Sequence, residues 1–432
     1  MDRVNVWERS DLTDLSIKEM SKIHQPQETV DGRTLYAFQN GFKKEFLGLF
    51  PKHSDPFIPL GVTSKKAHKV YNPVSNLKAI KKKKYYYPIP WVPAPDSKYS
   101  LHDVIEIEQI HLDNVKSNRC KLLVINVMEG WNHDGHFQTL IDAIKEKYNL
   151  QYDNFVLLSG NLDETPYGVP TVYYNWWEQH MNDHNLIQYA KDGFHSTDTS
   201  TRPNRFLCLN RRPHAHRLLL TNALEQYKDL GVLTCAKETD YGSLHLFRKA
   251  LHNVMPEHYS KLKEKLNETN NFSDFLNRLP FKYDDGYNAA DDNPTVDESK
   301  DKFYNSWLHI VTETYQVNGQ TFFSEKIFKP IIYWQPFILI GAQYDLRNFR
   351  SFGYKTFHGI IDESYDIIQN SEERLEACIK EIERIIKLSD NDIEKLYKEC
   401  YEIITHNFYN WVYRNQTIHI GLKNDLLEKL NG

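Results

Sequence analysis

Residues 307–341, WLHIVTETYQVNGQTFFSEKIFKPIIYWQPFILIG, contain two strand-length apolar runs separated by a polar loop and a short helical pattern. Leu308 to Val311 forms the first run, and Pro336 to Ile340 forms the second. Between them Ser324 is a favourable N-cap, and the apolar side chains after it recur at helical spacing. The stretch therefore predicts a strand–loop–helix–strand unit of a parallel α/β sheet.

The start of this predicted helix, Ser324-Glu325-Lys326, is a candidate phosphate site. In a parallel sheet such a helix begins at the carboxyl edge, where its free N–H groups and its dipole favour an anion. Lys326 and Lys329 add positive charge, and Glu313, at the end of the preceding strand, suits ribose hydroxyls or a base edge. A capped amphipathic helix with solvated lysines is the ordinary alternative. The combination of the helix start with both strands favours the binding function.

A second pattern of this kind occupies residues 121–160. KLLVINVM at 121–128 and NFVLLSG at 154–160 are typical of buried strands. Residues 136–150 between them place their apolar side chains on one helical face. The pattern predicts a βαβ unit, and hence a parallel sheet with a right-handed crossover.

The loop after the first of these strands reads EGWNHDGH at 129–136 and holds candidates for acid–base chemistry. Strand ends in α/β sheets point side chains into the ligand crevice, so this loop is expected to lie beside a ligand. Glu129 and Asp134 are the candidate general bases, whereas the loop offers no metal-ligand spacing. Ordinary loop polarity is the alternative.

A basic turn separates a further predicted strand, RFLCLN at 205–210, from an amphipathic helix at 218–227. The polar residues in and beside this turn, which are candidates for binding a ligand, are Asn210, Arg211, Arg212, His216 and Arg217. Three arginines and the Ser-Glu-Lys helix start could neutralise a diphosphate without a metal ion. Arg211 and Arg212 cannot both point the same way, so we expect only one of them to contact the ligand. His216 could donate to the leaving phosphate, and a solvated basic helix start is the alternative.

At these positions the chain resembles nucleotide-sugar glycosyltransferases of the GT-B type, especially the α1,3-fucosyltransferases. That family carries a glutamate-containing strand end, a loop, a T-E-K helix start and an apolar strand reading roughly V-P-V-V-x-G. The counterparts are Glu313, then SEK at 324–326 with serine in place of threonine, then QPFILIG at 335–341. In a weaker second block, Asn210 followed by arginines resembles the opening of the family's donor domain, where an arginine meets the pyrophosphate.

The resemblance implies two Rossmann-like domains facing a cleft, with C-terminal helices. We expect residues 1–195 to form the acceptor-side domain with an irregular N-terminal region, and residues 204–432 to form the nucleotide-sugar-binding domain. The polar segment 190–204 is the predicted linker. The implied reaction moves a sugar from a nucleotide-diphosphate sugar to a hydroxyl of a glycan or a protein-linked sugar. It inverts the anomeric carbon and needs no metal or other cofactor.

Each candidate residue has a role in that reaction. Transfer requires a base for the acceptor hydroxyl and positive groups for the departing diphosphate. We assign the base to Glu129, with Asp134 as the alternate, and stabilisation of the leaving group to Lys326 and the arginines of the basic turn. Glu313 is expected to hold the ribose or the base of the donor.

The composition is that of a soluble globular protein, with 40% hydrophobic and 26% charged residues in 432. This length predicts two domains. The sequence shows no long apolar run and no export signal, so we expect a cytoplasmic protein without a membrane span and with its five cysteines reduced. The residue usage, with 27 tyrosines and 18 glycines, is typical of A+T-rich genomes and favours a viral or phage source, hence the host cytoplasm.

The run KKKKYYY at 81–87 combines charge with aromatic rings, although the net charge of the chain is −5. Its residues are Lys81, Lys82, Lys83, Lys84, Tyr85, Tyr86 and Tyr87. Such a run could bind single-stranded nucleic acid or a sugar acceptor. In the first case the acceptor would be a modified base in DNA. A solvated loop edge is the ordinary alternative. From a different class, a non-catalytic nucleotide- or sugar-binding module would also fit the repeated βαβ pattern.

Further along the chain the patterns are those of connecting and helical segments. The acidic loop at 284–301 follows no apolar strand, so its aspartates are not expected to bind a metal. The sequence then predicts a short helix at 344–354, a strand at 356–362 and long helices at 371–388 and 391–414. In GT-B enzymes a terminal helix of this kind crosses back onto the first domain.

Overall fold

The computed structural model describes residues 84–90, 107–127, 136–163, 165–181, 202–210, 213–236, 264, 272–282, 301–314, 316 and 318–432. Contacts along the chain divide these residues into two compact units. The first unit holds the described residues up to 180 together with 413–432, and the second holds those from 181 to 412. Residues 413–432 thus belong with the first unit, whereas the boundaries drawn from the sequence left them with the second.

Each unit contains one four-stranded parallel sheet. The strands are β1 (Tyr85–Pro90), β2 (Cys120–Asn126), β3 (Phe155–Ser159), β4 (Thr171–Tyr173), β5 (Asn204–Asn210), β6 (Gly231–Cys235), β7 (Ser306–Thr312) and β8 (Phe337–Ile340). Their order is β1-β2-β3-β4 in the first unit and β6-β5-β7-β8 in the second. The α/β class expected from the sequence is confirmed.

Helices connect and cover these strands. In the described residues they are α1 (Gln109–Lys116), α2 (His136–Tyr148), α3 (Trp176–His180), α4 (Ala215–Leu224), α5 (Phe272–Arg278), α6 (Glu325–Ile332), α7 (Asp345–Ser351), α8 (Ser371–Ile386) and α9 (Asp390–Asn431). The helical C-terminus expected from the sequence is confirmed. None of these helices combines the length and the apolar character that crossing a bilayer requires.

The first sheet is buried on both faces because its strands carry continuous apolar runs. Side chains of one face, including Tyr85, Tyr87 and Leu122, pack with apolar residues of α1 and α2. Those of the other face, including Tyr86, pack with leucines near the end of α9, among them Leu426. The hydroxyl of Tyr86 also donates to the main-chain oxygen of Leu426 at 2.6 Å. The last turns of α9 are therefore part of the core of the first unit.

Burial of the three tyrosines corrects the nucleic-acid interpretation of KKKKYYY. Tyr85, Tyr86 and Tyr87 are each 0% exposed, because they form edge strand β1 and pack into the core. Buried rings offer no faces on which bases could stack. Lys84 donates to the main-chain oxygen of Leu430 at 3.4 Å, and Lys81, Lys82 and Lys83 lie outside the described residues.

In the second sheet, the order in which the chain adds strands reverses at the centre, although all the strands are parallel. From β5 the chain passes through α4 to β6 on one side, and from β7 it passes through α6 to β8 on the other. Adjacent strands β5 and β7 thus form a topological switch point, where the connections at their carboxyl ends diverge. In the first sheet the spatial order follows the sequence order, so the described strands contain no such point.

Two details near the C-terminus differ from the sequence-based prediction. The strand predicted at 356–362 is absent, because Gly359 turns the chain with a φ of 89°, and only an isolated bridge joins His358 to Ile361. The final helix extends beyond the predicted end at 414 to Asn431. Leucines four residues apart in this extension, such as Leu426 and Leu430, pack on the first sheet and favour its helical continuation.

We predict that Leu426→Ala lowers the free energy of unfolding of the first unit by about 2–5 kcal/mol, because it leaves a cavity beside the sheet. Leu426 is fully buried, whereas Ile420 on the same helix is 53% exposed. The matched variant Ile420→Ala should therefore change stability by no more than about 0.5 kcal/mol. Urea unfolding followed by circular dichroism measures both values, and equal effects would contradict the packing of α9 described above.

Candidate functional site

The candidate site lies at the carboxyl edge of the second sheet, where hydrogen bonds join the ends of β5, β6 and β7. Thr312 on β7 donates through its hydroxyl to Oδ1 of Asn210 on β5 at 2.6 Å. The main-chain N–H of Asn210 donates in turn to the hydroxyl of Thr234 on β6 at 3.0 Å. Asn210 is fully buried. Its side chain therefore fixes the edge of the switch point and does not face solvent.

Glu313 follows β7 directly and binds the beginning of α6. Its carboxylate accepts from the main-chain N–H of Ser324 at 3.1 Å and from the Ser324 hydroxyl at 2.5 Å. Burial raises the pKa of Glu313, while the charge of Lys326 and the two Ser324 hydrogen bonds oppose that shift. Both carboxylate oxygens are thus used to hold the start of α6.

Ser324 links this carboxylate to the cation of the site. While its hydroxyl donates to Glu313, the same oxygen accepts from the main-chain N–H of Lys326 at 3.3 Å and caps α6. The same oxygen also accepts from Nζ of Lys326 at 3.0 Å, and this ammonium lies 3.0 Å from Oε1 of Glu325. The Lys326 side chain is 23% exposed, so the cation can be reached from solvent.

Glu325 and Lys329 belong to the same helix but are more deeply buried. Burial by itself would raise the pKa of Glu325, but the charges of Lys326 and Lys329 outweigh it and bring this pKa to about 2. Glu325 is therefore ionised at neutral pH. It partly neutralises the two lysines before any anion binds.

His216 lies near the start of α4, fully buried. Its Nε2 is 3.0 Å from the main-chain oxygen of Glu313, and since a carbonyl oxygen only accepts, Nε2 carries the proton. Burial lowers the pKa of His216 to about 3, and the nearby charge of Arg217 acts in the same direction. The ring is therefore neutral at physiological pH and positions Glu313, so it is not set up to act as an acid.

Arg217 is directed into the protein. It is 2% exposed, and its Nη2 donates to the main-chain oxygen of Thr312 at 3.0 Å. The guanidinium therefore stabilises the end of β7. This placement differs from the ligand contact expected from the sequence, because Arg217, the third residue of α4, is directed towards the end of β7.

The structure thus brings most of the predicted donor-site residues to one edge. Those gathered there are Asn210, His216, Arg217, Glu313, Ser324, Glu325 and Lys326. Lys329 lies one turn further along α6 and is 8% exposed. Arg211, Arg212, Glu129 and Asp134 lie outside the described residues. In the part of the chain that is described, no group of three or more His, Cys, Asp or Glu side chains is arranged to hold a metal ion.

Two residues that the sequence analysis missed also shape this edge. Arg374 at the start of α8 donates to the main-chain oxygens of Gln316 at 2.5 Å and of Gly341 at 3.2 Å, so it ties the loop after β7 to the end of β8. Asp345 accepts from the main-chain N–H of Ala342 at 2.7 Å, and burial raises its pKa well above the usual range. A Cβ at Gly341 would overlap the Asp345 carboxylate. The glycine directly after the strand was therefore the sequence signal that could have indicated a side chain packed closely at this position.

Comparisons with known proteins add little to this geometry. No protein-family model matches the sequence, and no curated protein matches it. Among solved structures, the chain is similar to the trehalose-6-phosphate phosphatase N-terminal domain of Candida albicans, with 9% identity, a TM-score of 0.31, and coverage of 74% of this chain and 78% of that one. At this TM-score the likeness supports no statement about activity.

We predict that His216→Gln reduces the dependence of the free energy of unfolding on pH at acidic pH. The folded-state pKa of His216, about 3, lies below its ordinary value, so the unfolded chain binds one more proton between about pH 3 and pH 6.5. Stability is therefore lost as the pH falls through this window, by about 1.4 kcal/mol per pH unit. Glutamine binds no proton there and should remove that component.

His309 provides a parallel test of the same effect, because burial and the charge of Lys329 lower its pKa to about 3 as well. His309→Gln should flatten the profile by a similar amount, and the double variant by the sum. Urea titrations between pH 4 and pH 7 measure these slopes. A His216→Gln profile that superimposes on that of the wild type would refute the buried neutral imidazole.

Proposed function

We propose that the chain is a glycosyltransferase that moves a sugar from a nucleotide-diphosphate sugar to an acceptor hydroxyl of a glycan or a protein-linked sugar, without a metal ion. The observation that carries the proposal is the switch point between β5 and β7, with the start of α6 and the ammonium of Lys326 at its carboxyl edge. In open α/β sheets, ligands bind outside the carboxyl ends of the strands at such a point.

The donor diphosphate is the part of the substrate best matched to this edge. The dipole of α6 favours an anion at the start of the helix, and Lys326 adds a formal charge that solvent can reach. Glu325 offsets part of that charge in the free protein. A diphosphate would replace Glu325 as the partner of the Lys326 ammonium and gain a charge-assisted hydrogen bond. An arginine of the turn at 211–212 would supply the remaining neutralisation.

Glu313 takes a different role in this proposal from the one expected from the sequence. Its two carboxylate oxygens bind Ser324, so it acts by holding the start of α6 and does not grip the ribose. His216 in turn fixes the main chain of Glu313. Both are positioning residues, and their burial keeps the geometry of the helix start constant while the donor binds and leaves.

The transfer step would need one further group. The acceptor oxygen forms a bond to the anomeric carbon as the bond to the diphosphate oxygen breaks, and the proton of the acceptor hydroxyl passes to a base. We assign that base to Glu129, with Asp134 as the alternate, because both follow β2 at the carboxyl end of a parallel strand. Attack opposite the leaving group inverts the anomeric carbon.

Two alternatives make different demands on the molecule. Transfer to a modified base in DNA loses its main support, because the tyrosines that would stack bases are buried. A non-catalytic nucleotide- or sugar-binding module would use the same edge and is distinguished only by the absence of turnover.

We predict that Lys326→Ala weakens binding of the donor by about ten- to a hundredfold, since it removes one charge-assisted contact of about 1.5–3 kcal/mol. Thermal shifts with a panel of UDP-, GDP- and TDP-sugars measure the effect, because stabilisation by a ligand grows with the logarithm of its concentration relative to Kd. The control is Lys395→Ala, whose side chain is 75% exposed on α9. Equal thermal shifts in wild type and Lys326→Ala would remove the donor site from this edge.

For the chemical step, we predict that Glu129→Gln lowers the transfer rate by roughly 10²- to 10⁴-fold, because the amide cannot accept the acceptor's proton. The donor affinity should stay constant, since the donor is assigned to the second sheet. Asp134→Asn is the paired variant and should be mild. Loss of turnover in Asp134→Asn alone would move the base to Asp134, and full activity in both would favour the non-catalytic module.

A further inference from the structure

Tyr344 has an unusual backbone conformation for a large side chain. Four non-glycine residues among those described have a positive φ, namely Asn118, Asn149, Trp334 and Tyr344. Asparagine tolerates this conformation, because its short polar side chain can bond locally. Trp334 is 1% exposed and is held by the rings of Tyr401 and Phe408. Tyr344, with a φ of 69°, is only half-buried, so core packing does not explain its conformation.

Hydrogen bonds hold Tyr344 in this left-handed conformation. Its N–H donates to the main-chain oxygen of Asp366 at 2.8 Å, and its own carbonyl oxygen accepts from the N–H of Asn348 at 2.8 Å. The carboxylate of Asp366 also accepts from the N–H groups of Leu346 at 2.8 Å and Arg347 at 3.1 Å. Surroundings that maintain an unfavourable conformation are typical of ligand sites.

The ring of Tyr344 is covered on one face by a cation. The guanidinium of Arg347 lies 3.9 Å from the centre of the ring. Across the described part of the chain, no other ring or cation packs on Tyr344. Tyr344 is also partly exposed. A planar group that stacks on the face opposite Arg347 would be favoured if it is electron-rich, because of the positive charge beneath the ring.

The position of Tyr344 connects this ring to the candidate donor site. Tyr344 lies four residues after the end of β8. The ends of β7 and β8 are joined, because the N–H of Glu313 donates to the main-chain oxygen of Ile340 at 2.9 Å. The side-chain amide of Asn348 donates to the hydroxyl of Thr321 at 3.1 Å, three residues before Ser324. The segment that carries Tyr344 is therefore joined to the loop that leads into α6, on the same carboxyl edge.

We propose that Tyr344 and Arg347 form a stacking platform for the nucleobase of a nucleoside diphosphate whose phosphates lie at the start of α6. The inference rests on the proposed function and extends it to the base. Stacking is tolerant of base identity, since every base has a flat face. The platform would therefore contribute affinity to purine and pyrimidine nucleotides alike, and other contacts would select between them.

The test compares nucleotides with pyrophosphate. Calorimetric titration of the full-length chain would use GDP, UDP, TDP and inorganic pyrophosphate as the probes. Tyr344→Gly should weaken binding of the nucleoside diphosphate by about tenfold or more and leave that of pyrophosphate unchanged, because only the base loses its contact. Thermal stability should be unchanged or higher, because glycine adopts a positive φ without strain. The control is Tyr167→Ala, which alters a 79% exposed tyrosine of the first unit. It should change neither the binding of nucleoside diphosphates nor that of pyrophosphate.

Other outcomes would overturn the platform in distinguishable ways. If the wild type binds nucleotides and Tyr344→Gly binds them equally well, the platform is wrong while the donor site stands. If Tyr344→Gly loses nucleotide and pyrophosphate alike, the residue shapes the whole edge and is no base platform. If the wild type binds no probe, the donor site and the platform both fail. Should Tyr344→Gly not fold, Tyr344→Asn, which tolerates the same φ, and Arg347→Ala provide the same comparison.

Discussion

The pair of hydrogen bonds between Ser324 and the carboxylate of Glu313 is the constraint on which the candidate site of the second unit depends. They join the end of β7 to the start of α6 across a polar loop, at 3.1 Å and 2.5 Å. A buried carboxylate without such partners would cost several kcal/mol. With them, the first turn of α6 is fixed relative to the sheet, and so is the ammonium of Lys326 that bonds the same serine.

The two sheets differ in topology, and among the described strands only those of the second sheet contain a switch point, where ligands bind in open α/β sheets. Strands β5 and β7 are neighbours whose connections run in opposite directions, and their ends are joined by Thr312 and Asn210. Helix starts on either side of such a point leave room between them. The described strands of the first sheet follow one direction only, so the carboxyl end of β2, which Glu129 follows in the sequence, is not at a switch point.

Local patterns in the sequence were enough to predict most elements but not the contacts that assemble the site. The apolar runs around 308–311 and 336–340 and the cap at Ser324 are properties of neighbouring residues, and the structure confirms them. The bonds of Arg374 to Gly341 and Gln316 join residues 33 and 58 positions apart, so no periodicity indicates them. Residue type also gave a wrong expectation of exposure for Tyr86 and Arg217. Both side chains are buried, and their polar groups donate to main-chain oxygens inside the fold.

Several unfavourable features lie at or beside this edge. Burial raises the pKa of both Glu313 and Asp345, and Tyr344 keeps a left-handed backbone at a cost of about 1–2 kcal/mol. A sequence selected for stability alone would replace such groups, since apolar residues or glycine would cost less at the same positions. Local conflicts that persist beside a switch point are typical of functional sites. The carboxyl edge of β7 and β8 carries such conflicts, and it is the edge at which we propose that a charged, flat ligand binds.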